Sequence, residues 1–315
     1  MKQQTKTDKK SLRLWIQILW TALSNGYLFG FIKGKIWTGR TKAFCVPGLN
    51  CYSCPGALGS CPIGSLQATL SGRQFSPAFY VVGFLMLFGS LFGRLVCGFL
   101  CPFGLVQDLL YKIPFPFKRK NLPGHDKLKY LKYAVLGGVV ILLPSIVRDA
   151  TGLGQPWFCE YICPSGTLGA GIPLVIANEE LAAQIGWKFV LKISILAILL
   201  LSSIVVYRPF CKYLCPLGGL YGLFNPVAFY RFKVDPAKCT GCGACKKACR
   251  MDIPAYLTPN SIDCIRCGDC KRACPHGAIT NSGVFSKLKE RVSARPVSPA
   301  EQDGKNNLAK SANEK

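Results

Sequence analysis

The sequence predicts a mainly α protein: a four-helix transmembrane bundle followed by a small α+β domain organised around cysteines. Three observations carry that prediction. Half of the 315 residues are hydrophobic, and they gather in long runs. Eighteen cysteines recur at short, repeated spacings. After Phe232 the apolar runs stop, and the chain becomes polar, cysteine-dense and punctuated by Gly and Pro. A mean hydropathy of +0.27 is too high for an ordinary soluble domain, which sets the broad class before any motif is read.

A basic segment, residues 1–13, opens the chain with Lys2, Lys6, Lys9, Lys10 and Arg13. The first apolar run follows, about 14–32. A basic head before an apolar stretch also describes a secretory signal. This stretch, however, is long and aromatic, and Lys33-Gly34-Lys35 follows it without a small-residue cleavage site. It reads as an uncleaved membrane helix. Further runs cover about 78–100, 133–147 and 189–206. The third is short against the ~20 residues that a bilayer core requires.

Cations set the expected orientation. The N-terminal segment is basic, and so is the loop between the second and third runs, with Lys112, Lys118, Arg119, Lys120, Lys127, Lys129 and Lys132. The loop between the third and fourth runs carries only Arg148 and Lys188 at its margins. The positive-inside bias therefore places both termini and the second loop in the cytoplasm of a multi-pass cell-membrane protein, although the first loop is basic too. The membrane domain spans 14–232 and the small domain 233–280. Residues 281–315, rich in Lys, Ser, Asn and Glu, read as a disordered tail.

A formal charge of +24, from 39 Lys and Arg against 15 Asp and Glu, invites a nucleic-acid reading, because clustered cations neutralise phosphates. Here many cations flank apolar runs instead. Thiolates held by metal would also add negative charge that the formal count ignores. The partners expected are the membrane and redox proteins, with no nucleic acid.

Two runs in the small domain carry the strongest signal: Cys239-x2-Cys242-x2-Cys245-x3-Cys249 and Cys264-x2-Cys267-x2-Cys270-x3-Cys274-Pro275. This is the spacing of a bacterial-type 2[4Fe–4S] ferredoxin, in which three cysteines of one run share a cluster with the fourth of the other. One cluster is expected on Cys239, Cys242, Cys245 and Cys274, the other on Cys264, Cys267, Cys270 and Cys249. Gly241, Gly243 and Gly268 suit the tight turns that bring amides near the sulfurs. A zinc site would use four ligands without this interleaving.

Three further pairs share another form: Cys97-x3-Cys101-Pro102-x-Gly104, Cys159-x3-Cys163-Pro164-x-Gly166 and Cys211-x3-Cys215-Pro216-x-Gly218. The first and third are also preceded by an arginine at the same offset, Arg94 and Arg208, and each closes an apolar run. That makes an internal repeat. The second and fourth runs point the same way, so Cys97, Cys101, Cys211 and Cys215 meet at the cytoplasmic boundary, enough for one more cluster, with Arg94 and Arg208 beside it to offset its charge. Six cysteines remain for the opposite side: Cys45, Cys51, Cys54 and Cys61 in the first loop, with Cys159 and Cys163 in the third. A fourth cluster there combines Cys159 and Cys163 with two first-loop cysteines. Cys54 and Cys61 are favoured, Cys45 and Cys51 are the alternatives, and a disulfide is the competing use in an oxidising compartment.

These residues resemble a known family. The Cys-x3-Cys-Pro pairs at 97/101 and 211/215, the four apolar runs and the terminal double cysteine run look like the NapH-type membrane polyferredoxins, the 4Fe–4S quinol dehydrogenase membrane subunit family of periplasmic nitrate reductase, and like relatives among nitrous-oxide-reductase accessory proteins. The resemblance covers about residues 12–280. It implies redox-active cysteines at 97, 101, 211 and 215, two clusters on the terminal cysteines, and electron passage between the membrane pool and a partner. The chain departs from the family by its six outward cysteines, which fit a subgroup with a Cys-Tyr-Ser-Cys-Pro-Gly loop. It also lacks the large flavin-bearing outer domain of the nitrous-oxide regulators.

The function expected is a wire: clusters that divide the ~30 Å apolar core into shorter hops, relaying electrons between a cytoplasmic donor or the quinone pool and a redox partner, as an electron-transfer subunit of a redox complex. No haem is expected, since His125 lies in a basic loop, His276 follows Cys274-Pro275, and no Cys-x2-Cys-His occurs. No residue is assigned a catalytic role. A quinone site is placed no more closely than the neighbourhood of Arg94, Asp108 or Arg208, and Asp108 itself reads as a solvated carboxylate at a helix end. Two other readings use the same residues: thiol–disulfide delivery across the membrane, and a redox sensor or assembly factor.

Overall fold

A computed structural model describes residues 4–72, 79–150 and 152–282. Within it the chain is mainly helical, with one two-stranded sheet. Helix α1 (Gln4–Ser24) opens the structure. Loop one then leads to α2 (Pro62–Leu70), and α3 (Phe79–Phe92) follows. The short α4 (Leu95–Phe99) runs into α5 (Pro102–Leu110). After the second loop come α6 (His125–Ile146) and α7 (Pro164–Ala177), then α8 (Trp187–Val205). The second copy of the short-then-long pair is α9 (Pro209–Tyr213) and α10 (Pro216–Phe224).

Of the four runs expected to cross a membrane, α6 and α8 are helices long and apolar enough to do so. The other two are broken. The first stops at Ser24, turns through 25–28 and resumes as a short helix, Phe29–Lys33. The second breaks at Gly93, whose φ of +53° is left-handed, a conformation glycine adopts without the steric cost borne by other residues. This break has a use. It redirects the chain so that Arg94 and Cys97 enter the interior rather than continuing the α3 axis, and Asn225 secures it by accepting from the Arg94 amide at 2.9 Å.

The helices expose many large apolar side chains, and several polar ones are buried among an apolar core. On α1, Leu12, Trp15, Leu19 and Leu23 are exposed, while Arg13, Gln17 and Ser24 are buried. Those three polar residues recur at spacings that share one helix face. Phe79, Met86 and Leu87 on α3 and Trp187, Val190, Ile198 and Leu201 on α8 are likewise exposed. Gln67, Gln107, Lys132, Arg94 and Arg208 are fully buried. A soluble protein sorts its side chains the other way.

The C-terminal unit is closed by β1 (Arg231–Val234) and β2 (Ile279–Ser282), antiparallel with Arg231 opposite Ser282. The expected tail therefore starts inside β2; from 283 onward it lies outside the described residues. Between the strands sit α11 (Ala244–Ala248) and α12 (Asp269–Ala273), packed on each other. Left-handed residues occur at Gly241, Gly243 and Asp252, and again at the matching places in the second half, Arg266, Gly268 and Gly277. Arg266 thus carries a conformation that glycine holds in the other half, which costs a residue with a Cβ on the order of 1 kcal/mol. Its side chain accounts for the exception: it is buried and donates to the Phe92 carbonyl at 2.9 Å and the Asn225 carbonyl at 2.6 Å. The unit is thereby fixed onto the ends of α3 and α10. Backbone bonds from Phe229 to the Ser90 carbonyl (2.8 Å) and from Tyr230 to the Leu91 carbonyl (3.1 Å) extend the same seam.

Candidate metal centres

In the C-terminal unit one cavity is lined by Cys239, Cys242, Cys245 and Cys274. These are three cysteines of the first run and the last of the second, the interleaving that the spacing predicts. His276 lines the same cavity. The complementary four also meet: the Cys264 and Cys270 thiols both lie within electrostatic reach of Cys249, and Cys267 within reach of Cys264. The sulfur of Cys249 accepts from the Ile253 amide at 3.4 Å. Burial pushes the Cys267 and Cys270 thiols up to about 12, with neighbouring acid groups adding to it. Four thiolates at such a place need positive charge among them, which metal supplies.

The two groups differ in exposure. Cys242 is exposed, whereas Cys249, Cys264 and Cys267 pack against the main helical core. Ile265 is buried there, and its carbonyl lies so near Gly98 that a Cβ at that position would stand 2.5 Å away. The second group is therefore the one that faces Cys97.

Cys97, Cys101, Cys211 and Cys215 are all buried, and they converge: a charge on the Cys215 sulfur would be repelled by charges on the other three. The repeat seen in sequence is matched by reciprocal contacts in space. Each arginine reaches across to the other half. Arg94 donates to the Cys211 carbonyl at 2.7 Å, and Arg208 donates to the Cys97 carbonyl at 2.5 Å. The glycines of the two motifs make room for this. A Cβ on Gly218 would stand 3.2 Å from Arg94 Nη2, and one on Gly104 would stand 3.3 Å from the Arg208 guanidinium. Cys101 and Cys215 occupy the N-cap positions of α5 and α10, with extended backbone and proline following. Proline is favoured there because its missing N–H would have no helical partner. The Gly218 amide donates to Cys215 Sγ at 3.3 Å, and Gln107 Nε2 donates to Cys211 Sγ at 3.1 Å.

Each arginine also has an acid, and neither acid was assigned by sequence. Asp263, next to Cys264, pairs with Arg94 at 3.3 Å and also with Lys132. Burial alone would raise its carboxyl, but Arg94 and Lys132 overcome that and hold it below the usual range. Asp108, expected to be solvated, is buried and lies 2.6 Å from both Arg13 and Arg208. Burial again opposes ionisation, and Arg208 with Arg13 holds the group at about 2. A third residue missed was Asn225. Besides the Arg94 amide, it binds the Ser261 carbonyl at 2.9 Å and the Cys264 carbonyl at 2.8 Å, so one side chain spans both groups of cysteines. An asparagine after an apolar helix gives no sequence signal for that role.

The remaining six cysteines divide. Cys51, Cys61, Cys159 and Cys163 line one cavity together with Lys42, Asn50 and Ser165. The favoured first-loop pair, Cys54 and Cys61, is thus only half met: Cys54 does not line the cavity, and Cys51 does. The Cys54 thiol points to Asn25 Oδ1 at 3.7 Å and lies against Gly169, a turn further along α7 than Gly166. Cys45 donates to Ser65 Oγ at 3.8 Å. The loop that carries the cysteines expected on the opposite side lies against the inner group. Loop one dips inward, where a Cβ on Gly48 would meet the Leu100 carbonyl at 2.6 Å. The Tyr221 hydroxyl, donating to the Pro47 carbonyl at 3.2 Å, lies within reach of Cys97 and Cys101 as well as Cys45 and Cys61.

Among the described residues no three His, Cys, Asp or Glu side chains stand close enough to hold a single ion. Cys239, Cys242, Cys245 and Cys274 border one cavity and Cys51, Cys61, Cys159 and Cys163 another, and amides are directed at several of the sulfurs. That arrangement fits polynuclear iron–sulfur clusters, whose ligands stand apart around an inorganic core.

Known proteins agree with this chemistry. Two families, each described as a 4Fe–4S binding domain, match the chain. One matches at residues 76–121, 135–173 and 189–235, the other at 232–254 and 258–280. Every Cys-x3-Cys-Pro pair falls inside a match to the first. A methylamine utilization ferredoxin-type protein, MauN, of Methylobacillus flagellatus is 30% identical over 198 residues, covering 60% of each chain. The ferredoxin-type protein NapH of Haemophilus influenzae is 27% identical over 188 residues, covering 58% of this chain and 57% of its own. An uncharacterized protein of Methanocaldococcus jannaschii is 28% identical over 197 residues, covering 61% of this chain and 65% of its own. The chain thus spans less than two thirds of the length of these relatives. No solved structure matches it.

Proposed function

We propose that this chain, a homologue of the NapH and MauN ferredoxin-type proteins, is a membrane-embedded relay. It would carry electrons between a cytoplasmic donor or the quinone pool and a redox partner. The observation that carries the reading is the contact between the two groups of buried cysteines. Ile265 sits on Gly98, and Asn225 ties the Cys264 carbonyl to the Arg94 amide. The exposed Cys242 end of the C-terminal unit is the natural entry or exit for a protein partner, and the Cys264 end abuts Cys97.

A [4Fe–4S] cluster supplies a one-electron couple whose potential follows hydrogen bonding to its sulfurs and solvent exposure. The chain's own residues set those conditions. Gln107 and the Gly218 amide donate to the sulfurs of the inner group, and Arg94 and Arg208 place two buried positive charges beside it. Both effects favour the more negative, reduced state. The second group in the C-terminal unit has Arg266, Arg94 and Arg13 within electrostatic reach, and Cys242 of the outermost group is exposed.

Membrane placement rests on the inverted polarity of the bundle and on α6 and α8. Buried Arg, Lys and Gln against an apolar exterior is the sorting expected in lipid. With both termini on the cytoplasmic side, the C-terminal unit meets cytoplasmic partners. A quinone headgroup would fit the cavity lined by Arg13, Gln17, Asp108, Lys112, Arg250 and Arg272, which lies between the bundle and the C-terminal unit. This cavity places Asp108 at its wall, and leaves Arg94 and Arg208 enclosed.

Gly98→Val tests the relay. A side chain there collides with the Ile265 carbonyl and forces the two groups apart. The purified, anaerobic variant should keep wild-type iron and sulfide, yet reduction of the inner cysteine group by a low-potential ferredoxin should slow at least tenfold in freeze-quench EPR. Wild-type kinetics in a variant with full iron would remove the proposed route.

A further inference from the structure

We propose that Cys51, Cys61, Cys159 and Cys163 hold a [4Fe–4S] cluster of their own, next to the inner group. The proposal rests on the relay reading above and adds a ligand set to it.

Four sulfurs from two distant segments border one cavity of about 450 Å³. Their framework repeats that of the inner group. Cys61 and Cys163 are N-cap residues with extended backbone, each followed by proline, as are Cys101 and Cys215. The Gly166 amide donates to Cys163 Sγ at 3.4 Å, as the Gly218 amide donates to Cys215 Sγ at 3.3 Å. The Gly64 amide is likewise aimed at Cys61. Packing across the two segments is reciprocal here too. A Cβ on Gly64 would stand 3.8 Å from Cys159 Sγ, and one on Gly166 would stand 3.6 Å from Cys51 Sγ. Each motif glycine therefore faces a sulfur of the opposite segment.

Charge points the same way. Four thiolates around an iron–sulfur core leave net negative charge, and such charge inside a bundle needs cations. Lys42 lines the cavity, and Lys192 lies within electrostatic reach of Cys51, Cys159 and Cys163. A single disulfide would use two of the four thiols and leave the other two at the wall of a void. Cys54 and Cys45 stand outside the set, each with its own oxygen acceptor, Asn25 and Ser65. With Tyr221 reaching both groups, this cluster would be the next stop after the inner one.

Iron and acid-labile sulfide, measured per chain on anaerobically purified protein, test the assignment. Wild type should hold about sixteen iron, and Cys51→Ser and Cys159→Ser about twelve each, the loss of one cluster. Cys54→Ser and Cys45→Ser should stay at the wild-type value. Because a serine variant can misfold, wild type carries an independent test. About twelve iron in wild type, with about eight in Cys97→Ser/Cys211→Ser, overturns this cluster and leaves the inner one standing. About eight in wild type removes the inner cluster with it. Full iron in Cys51→Ser, lost iron in Cys54→Ser, or a Cys159–Cys163 disulfide found by mass spectrometry of the alkylated, unreduced chain would each overturn the ligand set.

Discussion

Serine at both Cys97 and Cys211 is expected to remove one cluster, about four iron and four sulfide per chain, while the EPR signal of the C-terminal pair persists. The expectation follows from ligand sets that share no cysteine, although the two regions pack together. The C-terminal unit holds its eight cysteines within its own two runs, and nothing from the bundle enters the cavity of Cys239, Cys242, Cys245 and Cys274. The inner group has no such reserve. Cys97 comes from α4 and Cys211 from α9, so the double change takes one thiol from each half and leaves Cys101 and Cys215 as a lone pair. Their surroundings stay folded, because Arg94 and Arg208 hold the backbone carbonyls at positions 211 and 97 rather than the side chains. Electron delivery beyond the C-terminal unit should then cease. If iron content does not fall, these cysteines are packing residues and the relay ends at the C-terminal unit.

The second large effect is expected from Asp108→Ala. Among the described residues this carboxylate is the one ion-paired with both Arg13 and Arg208, accepting at 2.6 Å from each guanidinium and at 2.7 Å from Arg208 Nε. Its loss leaves two buried cations facing each other, and breaking a buried pair from one side costs about 3–5 kcal/mol. The variant should melt well below wild type in detergent, monitored by circular dichroism, and lose the inner cluster first, since Arg208 also holds the Cys97 carbonyl. Asp108→Asn keeps an acceptor without the charge and should fall between the two. A melting temperature equal to wild type in Asp108→Ala would mean that solvent or lipid headgroups reach these arginines.

Much of the C-terminal unit was legible in the sequence because its information is local. Cysteines three and four residues apart share one loop, and the doubled run points to the interleaving by which Cys274 joins Cys239, Cys242 and Cys245 at one cavity. The Cys-x3-Cys-Pro pairs were legible for the same reason. What escaped depends on distant parts of the chain. Asp263 and Asn225 matter through partners 169 and 131 residues away. That Cys51 rather than Cys54 lines the outer cavity turns on which face of loop one meets α7, and spacing says nothing about that. Apolar runs at 14–32 and 78–100 looked continuous because hydropathy does not register the turn after Ser24 or the left-handed Gly93. Composition measures what a segment can be buried in, not where it bends.

The crossed arginines impose an order on biogenesis. While the first half of the repeat is being synthesised, Arg94 has neither the carbonyl it will grip nor the acid that neutralises it; the former arrives with Cys211, the latter only with Asp263. A chain that stops short of that aspartate leaves the Arg94 guanidinium without its acid partner, and burying it there is costly. The relay proposed above would therefore not assemble in a chain truncated before that aspartate, and the iron content of such a truncation measures it.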